Sequence, residues 1–448
     1  MDLFSNKKYL IIGGAVLVVA IFLILILVLG KGFGSPLPKE ITLQFWGVFD
    51  DSSFYRDAIT AYQNQNKHIH IIYRALSYQD YEKQLIDSFA AGTGPDIWLI
   101  HNTWLPKHYG KIAPLPQAVQ APPAGGTKQP LFTFKDFRDQ FVDVAVNDLT
   151  SQGQIYALPI YMDTMALYWN KDIFNARGIS RPPQTWDEFN SDVLKLTTFD
   201  TQGNITLSGA TIGTAKNINR STDLLGLLML QNGTQMTDSS NMSATFSQPV
   251  NQQSVGESAL QYYTDFANPS KQLYTWNDSQ HYSIDAFQEG KVAMLFNYSH
   301  NIDVLRAKSP RFNFGVAPMP QFANANKLVN YANYWAPTVS KASPNTFEAW
   351  KFLVYLSSTN GASAYLNASH RPAARRDLID KQKTDADLGV FATQGLSARS
   401  WYEIDNNAVE TILADMIDSV NFRQTPIRDA LIAAENKISL LMSKARQQ

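Results

Sequence analysis

The sequence predicts an α/β fold with two lobes, and two observations carry that prediction. Strand-like and helix-like segments alternate after residue 40: ITLQFW, a helix from about Phe54 to Asn66, IHIIYRAL, YEKQLIDSFAAG and DIWLI. This order is typical of a largely parallel sheet covered by helices. The body of roughly 400 residues exceeds what one core usually holds. The chain is also 45% hydrophobic, which is ample for globular packing.

The N-terminus predicts a membrane anchor. Lys7 and Lys8 precede the uncharged run YLIIGGAVLVVAIFLILILVLG, and about 20 apolar residues suffice to span a bilayer as a helix. We expect a cytoplasmic tail at 1–8, a transmembrane helix at 9–30 and a Pro-containing linker at 31–39. The protein would then be a single-pass protein of the cell membrane with an extracytoplasmic body. A cleaved signal peptide is the alternative, although its apolar region is usually shorter.

Composition and motifs exclude several classes of function. The formal net charge is -1 with no long basic run, which argues against a nucleic-acid partner. The absence of cysteine excludes disulfides, thiolate metal sites and a lipid-modified N-terminal cysteine. The sequence has no Walker loop, HExxH, GxSxG or dinucleotide fingerprint. We therefore predict a protein that is not an enzyme and has no cofactor or metal site.

The most informative segment is GQIYALPIYMDTMALYWNKDIFNARGISRPPQTWDEF, from Gly153 to Phe189. Two extended pieces meet at Pro159, and a short helix after them ends at Gly178. Thr185 is placed to cap a helix that begins at Trp186, with Glu188 in the reciprocal capping position.

This segment resembles the "G-x-x-Y-x-x-P...YNKDLF...G...PP-x-TWDEF" block of the extracellular solute-binding proteins of ABC importers (family 1, maltose-binding-protein-like). Four more segments match in that family's order: ITLQFWGVFDD (41–51), YEKQLIDSFAAGTGPDIWLI (81–100), DAFQEGKVAMLFNYSHNI (285–302) and FNFGVAPMP (312–320). With two weaker matches they cover nearly the whole chain after the first forty residues. The resemblance implies a two-lobe periplasmic-binding-protein-like fold of type II, an interlobe cleft and an importer permease as partner.

The resemblance also implies where the chain crosses between lobes. We expect crossings near 159–163, 315–320 and 357–362. Lobe I would then comprise 40–160 and 315–358, and lobe II would comprise 161–314 and 359–448. A ligand that contacts both faces of the cleft would favour closure of the lobes.

Candidate ligand-binding residues are rings and polar groups that follow strands or lie at crossovers, because ligands bind beyond the carboxyl ends of strands in such sheets. A sugar needs a flat ring against its C–H face and hydrogen-bonding groups around its hydroxyl rim. The candidates are Trp46, Asp50, Asp51, Asn102, Trp104, Tyr161, Asp163, Asn297, Tyr298, His300, Trp335, Arg371 and Trp401. In the resembling family the position of Asp163 often holds an acidic ligand contact. The ligand-facing tryptophan that relatives commonly carry after GKVAMLF is absent here.

For every aromatic candidate the alternative is a ring packed in a core. Trp98, Trp169, Trp186 and Trp350 lie inside predicted strands or helices and are assigned to packing. The predicted function is capture of a mono- to trisaccharide by lobe closure and its delivery to an ABC importer. A ligand-sensing surface module without transport is one alternative. An extracytoplasmic glycan-acting enzyme is another, because abundant Asp and Glu permit a carboxylate pair.

Overall fold

The computed structural model describes residues 14–22, 39–116 and 130–445. The strands are β1 (Ile41–Val48), β2 (Ile69–Leu76), β3 (Ile97–His101), β4 (Thr150–Ser151), β5 (Gln154–Ile155), β6 (Asp163–Thr164), β7 (Ala166–Asn170), β8 (Thr198–Phe199), β9 (Ile205–Ala210), β10 (Val292–Asn297), β11 (Phe314–Ala317), β12 (Asn330–Asn333), β13 (Trp335–Val339) and β14 (Ala398–Arg399).

The helices after residue 39 are α1 (Ser52–Gln65), α2 (Tyr78–Ala90), α3 (Leu105–His108), α4 (Phe134–Gln140), α5 (Asp143–Leu149), α6 (Lys171–Ala176), α7 (Trp186–Leu196), α8 (Ser221–Gln231), α9 (Val255–Asp265), α10 (Ser283–Gln288), α11 (Asn301–Lys308), α12 (Thr346–Leu356), α13 (Thr359–Ser369), α14 (Arg376–Gln382), α15 (Gly389–Gly395), α16 (Asn406–Arg423) and α17 (Ile427–Ala445). A short 3₁₀ helix occupies Tyr109–Lys111.

The first lobe is built on a four-stranded sheet in the order β13-β3-β1-β2. β1 is parallel to both β2 and β3, and β13 adds an antiparallel edge to β3. Leu43 and Phe45 alternate inward along β1 and are fully buried, as expected for a strand with one face on a core. Trp98 and Trp350 lie in the same core. Their assignment to packing is confirmed.

The second lobe is built on a five-stranded sheet in the order β11-β7-β10-β9-β8. β10 is parallel to β9 and antiparallel to β7, and β11 is antiparallel to β7. One face packs on a core that contains Trp186 and Phe296, with Trp169 partly buried against it. A smaller core around Tyr168 and Trp276 covers the other face.

The lobes are joined through a small sheet in the order β14-β12-β6. The first crossing runs through Asp163–Thr164, which pairs with Asn333 and Ala332 of β12. The predicted crossing at 315–320 is wrong, because Phe314–Ala317 still pairs with β7 of the second lobe. The chain enters the first lobe only through β12, before Trp335 of β13 pairs with His101.

The predicted crossing at 357–362 is also wrong. Ala362 and Tyr365 of α13 are fully buried in the core of the first lobe, as is Ile379 further on. Phe391 and Trp401 lie in the cores of the second lobe. The return therefore falls beyond residue 379, and the segment 359–379, predicted in lobe II, packs with lobe I.

Local signals in the segment Gly153–Phe189 explain its shape. Gly178 has φ 68°, a left-handed conformation that glycine adopts freely, and it follows α6 directly. Thr185 Oγ1 accepts the Glu188 N–H at 3.2 Å and caps α7. The reciprocal contact predicted for Glu188 is replaced by hydrogen bonds from Gln184 N at 2.8 Å and Arg181 Nη2 at 2.7 Å.

Residues 14–22 form a helix whose side chains are exposed. The rest of the predicted anchor at 9–30, all of the tail at 1–8 and residues 31–38 of the linker lie outside the described residues. Within the part of the chain that the structure describes, no helix combines the length and apolar character needed to cross a membrane.

Candidate functional site

A cavity of about 430 Å³ lies between the two lobes. The chain reaches it just after strands β1, β3 and β10, at Phe49, His101 and Tyr298, which is where ligands bind in α/β sheets. Its walls come from both lobes: Phe49, Tyr78, His101, Tyr161, Asp163, Asn219, Arg220, Tyr298, His300, Val304, Asn333, Trp335, Arg371, Asn406 and Glu410.

Three aromatic rings of the first lobe form one wall of the cavity. Phe49 stacks on Tyr78 with ring centroids 5.0 Å apart and lies 5.8 Å from Trp335. Phe49 is 58% exposed although it is a large apolar residue. Its φ of 66° is a left-handed conformation that is strained for a side chain with a Cβ. Phe49 therefore combines a strained backbone with a ring that is open to the cavity.

A buried ion pair fixes the next part of the wall. Arg371 Nη2 donates to Asp50 Oδ1 at 2.9 Å, and its guanidinium lies 4.4 Å above the ring centroid of Tyr161. Asp50 also accepts the Tyr55 and Tyr365 hydroxyls at 2.6 and 2.8 Å. With its oxygens occupied by these three partners, Asp50 positions Arg371 at the cavity surface.

Asp163 is almost fully buried and is held by neutral donors. Its carboxylate accepts the Ser299 amide at 3.1 Å, the Ser299 hydroxyl at 2.7 Å and the Thr164 amide at 2.9 Å. Burial raises the pKa of Asp163 to about 6. His300 Nδ1 lies 4.0 Å from it. Burial, with the charges of Arg371 and Arg220, lowers the pKa of His300 to about 4, so this histidine is neutral at pH 7.

The second lobe contributes an Arg–Asp pair. Arg220 donates to Asp223 through Nε at 2.8 Å and Nη2 at 2.9 Å, and its guanidinium lies 5.9 Å from the Tyr298 ring. The Tyr298 hydroxyl donates to Asp223 at 2.5 Å. Glu410 lies 3.3 Å from Arg220 Nη2. The cavity therefore presents aromatic faces from one lobe and fixed polar groups from both, a combination suited to a small polar guest.

The model of the bacterial extracellular solute-binding protein family matches residues 57–392, more than half of the chain. The chain belongs to this family. The resemblance seen in the motifs is thereby confirmed, and so is the prediction that this solute-binding protein is not an enzyme.

One relative and two solved structures show how far the similarity extends. A putative binding protein of Brucella abortus is 23% identical over 376 residues, which is 80% of this chain and 84% of the relative. The sugar-binding protein MalE of Xanthomonas citri superposes with a TM-score of 0.74 at 17% identity, over 91% of this chain and 98% of MalE. A solute-binding protein of Thermotoga lettingae, solved with α-D-tagatose, superposes with a TM-score of 0.68 at 21% identity, over 90% and 99% of the chains. These similarities show that the solute-binding protein has the fold of these proteins.

Some predicted site residues line the cavity directly. They are Tyr161, Asp163, Tyr298, His300, Trp335 and Arg371. Two further candidates support the cavity from behind. Asp50 holds Arg371, and the Asn297 side chain, fully buried, accepts the amide of Tyr298 at 2.9 Å.

The remaining candidates do not line this cavity. Asp51 caps α1 by accepting the Ser53 amide at 2.8 Å, and Trp46 lies under the guanidinium of Arg74 at 5.0 Å. Trp104 is buried against Trp335, with centroids 4.9 Å apart. For Trp46 and Trp104, packing is the observed role.

Asn102 and Trp401 line a second interlobe cavity of about 750 Å³. A small void shares His101 and Arg220 with the first cavity and Asn102 with the second. The small void therefore lies next to both cavities.

The residues that sequence reasoning missed include Phe49, Tyr78, Asn219, Arg220, Asn333 and Glu410. Phe49 lies inside the stretch after the first strand that supplied other candidates, so its position was a usable signal. Arg220 lies at the start of α8, which follows no strand directly. Nothing in the local pattern of its segment points to the cavity.

Proposed function

We propose that this protein captures a small carbohydrate, of one to three sugar units, in the cavity between its lobes. The observation that carries the proposal is the aromatic wall of Phe49, Tyr78 and Trp335 in the same cavity as Asp163 and Arg371. The rings suit the C–H face of a sugar, and the fixed acceptors and donors suit its hydroxyls. The cavity of about 430 Å³ lies within the size range of small-molecule sites. The sugar-binding protein MalE and the solute-binding protein that holds α-D-tagatose share this fold, which supports the same ligand class.

The experiment is a calorimetric screen of residues 39–448 against mono-, di- and trisaccharides, with amino acids and polyamines as competing classes. We expect at least one saccharide to bind. Trp335→Ala should abolish binding because it removes a ring of the cavity wall. Trp169→Phe, in the core of the second lobe and away from the cavity, is the matched control. Binding of another solute class with no saccharide bound would refute the proposal.

We further propose that the loaded protein delivers its ligand to an ABC importer and that residues 9–30 hold it at the membrane. The uncharged run is long enough to span a bilayer. In its described part, Val16, Leu17 and Phe22 are each more than 60% exposed, which leaves an apolar surface suited to lipid. The full chain, expressed in a bacterial host, should stay in the membrane fraction after alkaline washing. Residues 39–448 should be released, and recovery of both in the soluble fraction would refute the anchor.

A further inference from the structure

The charged groups of the cavity wall, counted together with their ion-pair partners, do not balance. Its cations are Arg220 and Arg371. Each already has a carboxylate of its own, Asp223 at 2.7 Å and Asp50 at 2.9 Å. A guanidinium group that is paired with a carboxylate at this distance in a partly buried site attracts a further anion only weakly. Neither arginine is therefore free to neutralise a further anion.

Two more carboxylates, Asp163 and Glu410, also line the cavity. The hydrogen bonds to Asp163 come from backbone amides and a hydroxyl. His300 lies 4.0 Å away and is neutral at pH 7, and Arg371 acts on Asp163 through its charge without forming an ion pair with it. Glu410 shares Arg220 with Asp223 at the longer distance of 3.3 Å. The lining itself thus holds two guanidinium groups and two carboxylates. Together with the carboxylates of Asp50 and Asp223, which pair with the arginines, the region holds four carboxylates and two cations, a net charge of -2 with all of them ionised.

Asp163 also has acceptor capacity left. A carboxylate offers about four lone-pair sites, and Asp163 receives three donors: the Thr164 amide, the Ser299 hydroxyl and the Ser299 amide, whose single proton is shared between both carboxylate oxygens at 3.1 Å. A buried carboxylate with a vacant acceptor position on a cavity favours a ligand that brings a positive charge. The exposed ring of Phe49 and the ring of Tyr78 add to that preference, because aromatic faces attract cations.

We propose that the carbohydrate bound by this protein is an amino sugar, whose protonated amine pairs with Asp163 while its ring lies against Phe49 and Trp335. This inference rests on the proposed function and narrows its ligand class. An anionic sugar, such as a sugar phosphate, is disfavoured because both arginines are already paired and two carboxylates face it. A neutral sugar can stack on the aromatic rings, but it does not compensate the negative charge around the cavity.

The experiment compares three matched ligands by calorimetry at pH 7 with the detergent-solubilised full chain: glucosamine, N-acetylglucosamine and glucose. The acetyl group removes the positive charge and keeps the ring. We expect glucosamine to bind at least about tenfold more tightly than either neutral sugar, a difference of roughly 1.4 kcal/mol. The corresponding galactose and mannose series are included, so that the hydroxyl stereochemistry of the probe does not decide the result.

Asp163→Asn should reduce the ratio of glucosamine affinity to neutral-sugar affinity to about one, whatever its effect on the affinity for the neutral sugars themselves. The control is Asp51→Asn, which deletes one carboxylate near the cleft but keeps a good helix cap. The preference should persist in that variant. Should Asp163→Asn fail to fold, raising the salt concentration with the unmodified protein serves instead, because screening reduces the preference for the amine.

The outcomes separate the two proposals. Equal or tighter binding of the neutral sugars in all three series overturns the amino-sugar inference and leaves the proposed function in place. Binding of simple amines with no sugar bound overturns both. A preference for amino sugars that persists in Asp163→Asn overturns the role given to Asp163.

Discussion

At the scale of single residues, Phe49 combines two features that stability alone does not explain. Its backbone is left-handed at φ 66°, and its ring is 58% exposed. A left-handed conformation costs an ordinary residue roughly 1–2 kcal/mol, and an exposed ring recovers little of that by burial. We infer that the strain is retained because the ring contacts the ligand.

Substitution of Phe49 should separate strain from contact. Phe49→Ala and Phe49→Gly both delete the ring, so both should weaken sugar binding about tenfold or more. Only glycine relieves the backbone, so it should be about 1 kcal/mol more stable than the alanine variant in denaturant unfolding. Equal stabilities would show that the loop relaxes without strain. Unchanged affinity in both variants would remove Phe49 from the site.

The buried carboxyl group of Asp163 should make the folding stability of the protein depend on pH. Because burial raises its folded pKa to about 6 from 3.8, the folded protein binds more protons than the unfolded chain between these values. The stability contributed by the protonated form is full below pH 3.8 and is lost as the pH rises through 6. The Asp163→Asn variant has no carboxyl group at this position and does not lose stability in this way. Its free energy of unfolding, relative to that of the unmodified protein, should therefore rise as the pH increases from about 4 to about 6, by at most about 3 kcal/mol.

Urea unfolding at pH 4, 5, 6 and 7 measures this difference. The lowered pKa values of His101 and His300, both about 4, act in the opposite direction but are present in both proteins. They largely cancel in the comparison. A stability difference that does not change with pH would show that Asp163 is not shifted upward.

How far single residues can be predicted depends on what the sequence encodes locally. The position of Asp163 within its motif is enough to find it. The strain at Phe49 is not visible in the sequence, because the segment FWGVFDD carries no local signal for a left-handed residue at this position and its ring contacts Tyr78 and Trp335 from distant segments. Asp50 was expected to touch the ligand, yet three buried partners from distant segments turn it into a support for Arg371.

At the scale of elements, the start of α16 is the place where the lobes touch. Asp405 caps this helix by accepting the Ala408 amide at 3.2 Å and also pairs with Lys107 of the first lobe at 2.7 Å. Next to it, Trp104 Nε1 donates to Asn406 at 2.7 Å. Asp405 therefore contributes both to a helix end and to the contact between the lobes.

Two substitutions of Asp405 separate these roles. Asp405→Ala loses the cap and the interlobe pair, whereas Asp405→Ser keeps a good cap and loses only the pair. Both variants should be more open without ligand, with a larger radius of gyration in solution scattering and sugar affinity reduced a few-fold. Asp405→Ala should also be about 1 kcal/mol less stable than Asp405→Ser. An unchanged radius and affinity in both would show that this contact does not hold the lobes together.

The boundaries of elements could be predicted where the sequence pattern is local. The prediction failed where an element pairs with a segment that is distant in the chain. β1, α1, β2, α2 and β3 follow from alternation and helical spacing. The crossings at 315–320 and 357–362 were misplaced because β11 is held by β7, some 145 residues earlier in the chain. Likewise, α13 packs on the core of the first lobe through Tyr365, which bonds to Asp50.

At the scale of the whole molecule, the cavity depends on both lobes and on the sheet that joins them. The aromatic wall belongs to the first lobe, whereas Ser299, which holds Asp163, belongs to the second. β6 and β12 lie in the small connecting sheet, so a rotation of the lobes about it changes the distance between the two walls. A ligand that touches both walls stabilises the closed arrangement by its difference in affinity for the two states.

The two lobes are expected to fold and to bind ligand independently of the N-terminal segment. The exposed side chains of residues 14–22 indicate that this helix adds little to the folding of the lobes, whose cores are drawn from residues 41–442. Residues 39–448 should therefore match the detergent-solubilised full chain in Tm to within about 2 °C, which for a chain of this size corresponds to roughly 2 kcal/mol. Their sugar affinities should agree within a factor of about two. A saturating sugar should raise both Tm values equally, because binding stabilises only the folded lobes. A body that melts much earlier than the full chain would show that the N-terminal segment packs against the lobes, and its role would then extend beyond attachment.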